Sequence, residues 1–209
     1  MYLPLIVACG QANEPKDTSQ ALDSGAIDAG SDADGDGIAQ EKDCNDDNPS
    51  PATAVETYSG DVNADNLAGF CEGYCVRNVD GDVAANGTTL SYLYDLRCVQ
   101  TISGALTIAN NDALDDVTGI TEVPGDVTLY GNVSLKDLGG LDGVTRIGGD
   151  LRLEQNGRLH DVAELSNVTT LSGDLDILDN AELLTADAEA LRDAIDSIGG
   201  TVTISGNAP

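Results

Sequence analysis

Leu-Thr-Ile-Ala-Asn-Asn at 106–111, Val-Thr-Leu-Tyr-Gly-Asn at 127–132, Leu-Arg-Leu-Glu-Gln-Asn at 151–156, Leu-Asp-Ile-Leu-Asp-Asn at 175–180 and Val-Thr-Ile-Ser-Gly-Asn at 202–207 are five versions of one phrase. Their starts lie 21, 24, 24 and 27 residues apart. That is the period of an architecture in which each repeat is one supersecondary unit, burying its apolar face only against its neighbours. The expected fold is mainly β, a short solenoid of coils over residues 73–209. A degenerate first coil is expected around Asp82 and Val83, 23 residues before Ala105 and Leu106, for about six coils in all.

Each coil carries the same plan. Leu151 and Leu153 alternate with polar neighbours, which predicts a short strand with these two pointing inward and Asp150, Arg152 and Glu154 pointing out. Asn156 then falls at a turn. A second apolar set follows at Leu159, Val162, Leu165, Val168 and Leu171, and Ser172-Gly173 lets the chain corner into the next strand. Gly125, Gly149 and Gly200 hold the same corner elsewhere. The recurring Asn111, Asn132, Asn156, Asn180 and Asn207 predict a structural ladder, because a buried amide is costly unless bonded and each net bond is worth about 1 kcal/mol. The Ala-rich stretch from Ala186 to Ile195 suits a helix that caps the open end of the last coil.

The 209 residues carry 37 acidic and 9 basic side chains, a formal net charge of −28. Nothing in such a chain could neutralise phosphates, which excludes nucleic acid as a partner. Divalent cations are the natural counter-charge, with plain solubility as the other reading.

The start of the chain ends an apolar run in Ile6-Val7-Ala8-Cys9, which resembles a bacterial lipobox. The resemblance implies that residues 1–9 are a lipoprotein signal, with Cys9 lipidated and the mature protein anchored to the outer membrane or cell surface. The run has no basic residue and about six apolar positions, short of the usual length, which a start codon upstream of Met1 would explain. Residues 10–31 read as a disordered tether. No segment is long enough to span a bilayer.

Four cysteines remain, Cys44, Cys71, Cys75 and Cys98, and an even number in an exported chain predicts two disulfides. Of the three pairings, Cys44–Cys71 with Cys75–Cys98 is preferred. A four-thiolate zinc site is the competing reading, disfavoured because the spacing lacks a C-x-x-C pair and His160 lies far away.

Residues 32–72 form an Asp/Cys-rich segment too poor in aliphatic residues for a core of its own. Within it, Asp32, Asp34, Asp36 and Asp43 stand at positions 1, 3, 5 and 12 of a loop with Gly37 at position 6, an arrangement that wraps calcium in oxygens, Ile38 contributing its backbone carbonyl. The segment resembles the thrombospondin type 3 calcium repeat. The resemblance carries Asp32, Asp34, Asp36, Ile38 and Asp43 over as ligands, with Asp46 and Asp47 as weaker candidates. Residues 61–66 are a faded echo of the same cluster.

The strand-Asn units together with Ile-Gly-Gly-Asp-Leu-Arg-Leu at 147–153 resemble the receptor L-domain, a short right-handed β-helix related to leucine-rich repeats. The resemblance covers roughly two thirds of the chain. A leucine-rich repeat horseshoe is the alternative fold. The L-domain resemblance implies extracellular recognition or adhesion of a protein or glycan, without catalysis.

The candidate binding face is the outward column Thr107, Thr128, Arg152, Asp176 and Thr203, joined by Tyr130 and Glu154. Arg152 and Asp176 fall on adjacent rungs and are expected to form a cross-strand ion pair. A structural envelope protein without a discrete ligand is the alternative. A polysaccharide-active β-helix enzyme is disfavoured, since the chain has a single His, expected at the surface, and no basic cluster for a polyanion.

Overall fold

The computed structural model describes residues 56–71, 74, 76–89, 94–96, 98–114 and 120–209. Cys9, the tether, the proposed calcium ligands, Cys44 and Cys75 lie outside the described residues. One compact unit comprises Val55–Glu72 and Val76–Pro209. It is mainly β, with parallel sheets and a single α-helix among the described residues.

Every copy of the repeated phrase is a strand. In chain order the strands are β1 (Glu56–Ser59), β2 (Arg77–Asp80), β3 (Val83–Asn86), β4 (Val99–Ile102), β5 (Leu106–Ala109), β6 (Val127–Tyr130), β7 (Arg146–Ile147), β8 (Leu151–Glu154), β9 (Thr170–Leu171) and β10 (Leu175–Leu178). The helix α1 (Thr185–Ala194), β11 (Ser197–Ile198) and β12 (Val202–Ser205) complete the chain. The expected degenerate first repeat is β3, with Val83 in register with Leu106.

A six-stranded parallel sheet runs β3-β5-β6-β8-β10-β12, each strand pairing with the one a repeat away. Period two divides its side chains. Val83, Leu106, Val127, Leu151 and Leu175 form one inward column, and Ala85, Ile108, Leu129, Leu153 and Ile177 the next, all buried. A second set of parallel strands, β1-β2-β4 and β7-β9-β11, is joined through single bridges from Thr101 to Glu122 and from Val123 to Ile147. Between the sheets each repeat makes the same tight turn: Leu114, Leu135, Leu159 and Leu183 are fully buried, and each donates its amide to the Asn three residues earlier. Leu159, Val162, Leu165, Val168 and Leu171, the expected second apolar set, all enter the core.

The corners before β8, β10 and β12 are each locked by an Asp and a Gly from neighbouring repeats. Asp126 accepts the Asp150 amide at 2.8 Å, Asp150 accepts that of Asp174 at 2.8 Å, and Asp174 accepts that of Thr201 at 2.6 Å. A Cβ on Gly149, Gly173 or Gly200 would stand 1.9, 2.0 or 2.1 Å from the carboxylate one repeat back. Only glycine leaves room for it.

Helix α1 occupies almost the stretch expected from composition. It buries Ala188 and Leu191, with Ile195 buried just beyond it, and the Thr185 hydroxyl donates to the Ala208 carbonyl.

Residues 56–71 carry few aliphatics, yet they belong to the same unit, because the few they have are spent on the core. Val62 bridges Val83, and Val62, Leu67 and Phe70 are buried. Asp61 and Asn66, part of the faded acidic cluster, are used locally: Asp61 accepts the Asp82 amide at 2.9 Å, and Asn66 donates to the Tyr58 hydroxyl. Arg77 is buried beside them. Its guanidinium lies 4.1 Å from the Phe70 ring centroid and 5.1 Å from that of Tyr58, and it pairs with Glu56 at 2.8 Å. Cation–π contact and ion pairing together compensate the burial of that charge.

The disulfide corrects the expected pairing. Cys71 is bonded to Cys98, so neither Cys44–Cys71 nor Cys75–Cys98 forms, and a zinc site drawing on all four thiols is ruled out. The reason is local: the 27-residue separation is about one repeat, which sets the two cysteines in neighbouring passes of the chain with Cα atoms 5.4 Å apart, within bonding range.

Candidate functional site

The outward side of the six-stranded sheet carries two columns of side chains. Ala84, Thr107, Thr128, Arg152, Asp176 and Thr203 form the first, and Asn86, Ala109, Tyr130, Glu154, Leu178 and Ser205 the second. The five residues singled out from the sequence, Thr128, Tyr130, Arg152, Glu154 and Asp176, therefore meet at the centre of the sheet. Parallel, in-register pairing requires this, because equivalent positions of each repeat must stand side by side.

Two details of the face differ from expectation. Glu154 does not project into solvent but is nearly buried, its side chain 11% exposed against 47% for Arg152. Arg152 forms its ion pair with Glu154 rather than with Asp176, the Nε and Nη2 atoms both reaching Glu154 Oε2. Residues i and i+2 share a strand face. The guanidinium therefore reaches along its own strand to a carboxylate set between Tyr130 and Leu178 on the flanking strands. Gln155 adds a bond to the other Glu154 oxygen at 3.3 Å. Asp176 stands across from Arg152 and half-buried. The face thus offers hydroxyls, a half-buried phenol, the Arg152–Glu154 ion pair and the Asp176 carboxylate, chemistry suited to hydrogen bonding and stacking with a polar ligand.

The buried amides beside this face are structural, as the ladder predicts. Asn111, Asn132, Asn156 and Asn180 are fully buried. Their Nδ2 atoms donate to the carbonyls of Ala85, Ile108, Leu129 and Leu153 at 2.8 to 2.9 Å. Thr88 fills the ladder position of the first repeat, giving both its amide and its hydroxyl to Asn111 Oδ1. Sequence reasoning passed over it. The missed signal was its place two residues past β3, where every later repeat has Asn.

Elsewhere, Glu122, Val123, Pro124, Arg146 and Gly148 line a depression of about 280 Å³ beside β7. His160 is exposed, and its Nδ1 lies 2.6 Å from the Lys136 carbonyl. Among the described residues, no three His, Cys, Asp or Glu side chains converge to hold a metal ion, and no helix is long and apolar enough to cross a membrane. The abundant Asp residues of the corners are instead occupied by backbone amides.

Comparison with known proteins finds no match among protein-family models, curated proteins or solved structures.

Proposed function

We propose that the chain is a non-catalytic, calcium-binding, lipid-anchored bacterial cell-surface protein whose repeats form a receptor L-domain-like right-handed β-helix that binds a protein or glycan. The observation that carries the binding reading is the in-register patch of Thr128, Tyr130, Arg152, Glu154 and Asp176 on one sheet face. Two sets of parallel strands, each gaining members repeat by repeat, support a β-helix over a leucine-rich repeat horseshoe. The strong preference of parallel crossovers for one hand supports a right-handed coil.

Calcium enters through the spacing of Asp32, Asp34, Asp36, Ile38 and Asp43. Those residues would supply carboxylate and carbonyl oxygens to a hard cation, and extracellular modules of this kind bind in the range of about 0.1–1 mM. The anchor rests on Cys9.

The testing experiment has two arms on the full chain. Calorimetric titration with calcium chloride is expected to give a saturable binding heat that Asp34→Asn/Asp36→Asn abolishes; no heat in the native chain would sink the calcium reading. Labelled chain on a glycan array and a panel of surface proteins is expected to bind a restricted set, with Tyr130→Ala and Arg152→Ala each losing the signal. Binding that neither substitution weakens would remove the face from the reading.

A further inference from the structure

Val123 bridges Ile147, and both side chains are fully buried. By alternation, Glu122 and Pro124 in one repeat and Arg146 and Gly148 in the next face outward on adjacent rungs. These four, with Val123 between them, line the depression of about 280 Å³ beside β7. Glycine opens it. A Cβ on Gly148 would stand 1.8 Å from the Pro124 carbonyl oxygen, so Gly148 presents only backbone where the neighbouring repeats present Pro124 and Ser172. The recess belongs to a different sheet from the one that carries Thr128 and Arg152.

The two charges lining the recess are unpaired. Arg77, Arg152 and Arg192 form ion pairs with Glu56, Glu154 and Asp193. Arg146 stands opposite Glu122, one residue before the bridged pair, where a cross-strand ion pair is expected. Yet both side chains are exposed, and among the described residues neither has an ionic or hydrogen-bonding partner. A guanidinium pairs with a carboxylate and a carboxylate with an ammonium, so the recess suits a ligand that carries both groups a few atoms apart. A net anion is opposed by the chain's charge of −28, and a simple cation is drawn to its 37 acidic residues wherever they lie. A zwitterion, having no net charge, responds to the local pair. Volume narrows the choice further: about 280 Å³ falls just below the range of about 300–1,000 Å³ for pockets that hold drug-sized ligands. That suits a small molecule, with the Pro124 ring as an apolar wall for a short side chain.

We propose that this recess binds a free α-amino acid with a small side chain. Its carboxylate accepts hydrogen bonds from the Arg146 guanidinium, its ammonium donates to the Glu122 carboxylate, and its side chain rests on the Pro124 ring. The site stands apart from the patch around Arg152 and holds whether or not that patch binds a protein or glycan. Both charged partners are exposed, so water competes with the ligand, and the expected affinity is about millimolar.

The test is titration of the isotope-labelled full chain with L-alanine, followed through backbone amide and arginine Nε–H shifts by NMR. Two analogues that each keep one charge run beside it: alaninamide, with the ammonium alone, and N-acetylalanine, with the carboxylate alone. The expected result is a saturable shift centred on Glu122, Arg146 and Gly148 with alanine, and binding of either analogue weaker by at least about tenfold. Arg146→Gln and Glu122→Gln each remove one charge from an exposed position. Each is expected to weaken alanine binding at least about tenfold while the melting temperature stays near native. No saturable shift with alanine, an analogue that binds as tightly as alanine, or an affinity indifferent to both substitutions overturns the proposal. Should either variant misfold, the comparison of alanine with its two analogues on the native chain decides it alone.

Discussion

Asn132 donates both its backbone amide and its side-chain Nδ2 to the Oδ1 of Asn156, at 3.0 and 3.1 Å. Asn156 in turn donates its amide to Asn180 at 3.0 Å and its Nδ2 to the Leu129 carbonyl at 2.9 Å. One fully buried side chain therefore serves three repeats.

Asn156→Leu keeps the branching of the side chain, with bulkier methyl groups, but strands the Asn132 amide and the Leu129 carbonyl away from water. Each orphaned buried group costs about 1–3 kcal/mol, so a loss of about 3 kcal/mol is expected. At the end of the ladder, Asn207 is only half-buried, and Asn207→Ala should cost about 1 kcal/mol. Urea unfolding of the two variants checks the ratio, and equal losses would mean that burial does not set the cost.

The Gly149 corner is closed by the Asp126 carboxylate, 1.9 Å from where a Cβ would sit. Gly149→Ala is expected to cost about 3 kcal/mol through overpacking, while Gly157→Ala, with nothing within 4 Å, should change stability by less than about 1 kcal/mol. Removing the obstacle should help. In an Asp126→Ala background the penalty of Gly149→Ala is expected to fall by about 1 kcal/mol or more, read as the coupling in a double-mutant cycle.

Each repeat turns left-handed just before its ladder residue: Gly87, Asn110, Gly131, Gln155, Asp179 and Gly206 all have φ between 55 and 71°. Asn and Asp tolerate that region, whereas Gln155 is held there against its preference. Gln155→Gly should therefore raise stability by about 1 kcal/mol. Gly131→Ala should lower it, because its Cβ would also come within 2.8 Å of Asn110 Oδ1. Thermal melts of both variants decide the matter, and a destabilised Gln155→Gly would refute the argument.

Arg152 is bonded to Glu154 although Asp176 lies opposite it in register. Half-exposure of the guanidinium screens the pair, so a coupling energy of about 1 kcal/mol is expected between Arg152 and Glu154. Between Arg152 and Asp176 it should be below about 0.3 kcal/mol. Two double-mutant cycles at low salt measure both, and the reverse order would restore the cross-strand pair.

The strand phrases, the six-membered register, the Asn ladder and helix α1 were all legible in the sequence. Period-two patterning and a recurrence of 21 to 27 residues leave few ways to bury Leu151, Leu153 and their equivalents except side by side in parallel strands. Local chemistry repeated five times is a strong signal because every copy must satisfy the same backbone.

Contacts between non-equivalent positions were set by the packing of the chain. Cys71 found Cys98 because they stand about one repeat apart in neighbouring passes of the chain, a distance that cysteine counting does not supply. Arg152 chose Glu154 over Asp176 because a side chain reaches along its own strand face as readily as across it. Residues 56–71 joined the core through Val62, Leu67 and Phe70, three burials too few to register in composition. Recurrence and alternation along the chain dictate which residues repeat and which way they point; which neighbour each one reaches is settled on packing, since that choice rests on ångström-scale distances between segments far apart in sequence.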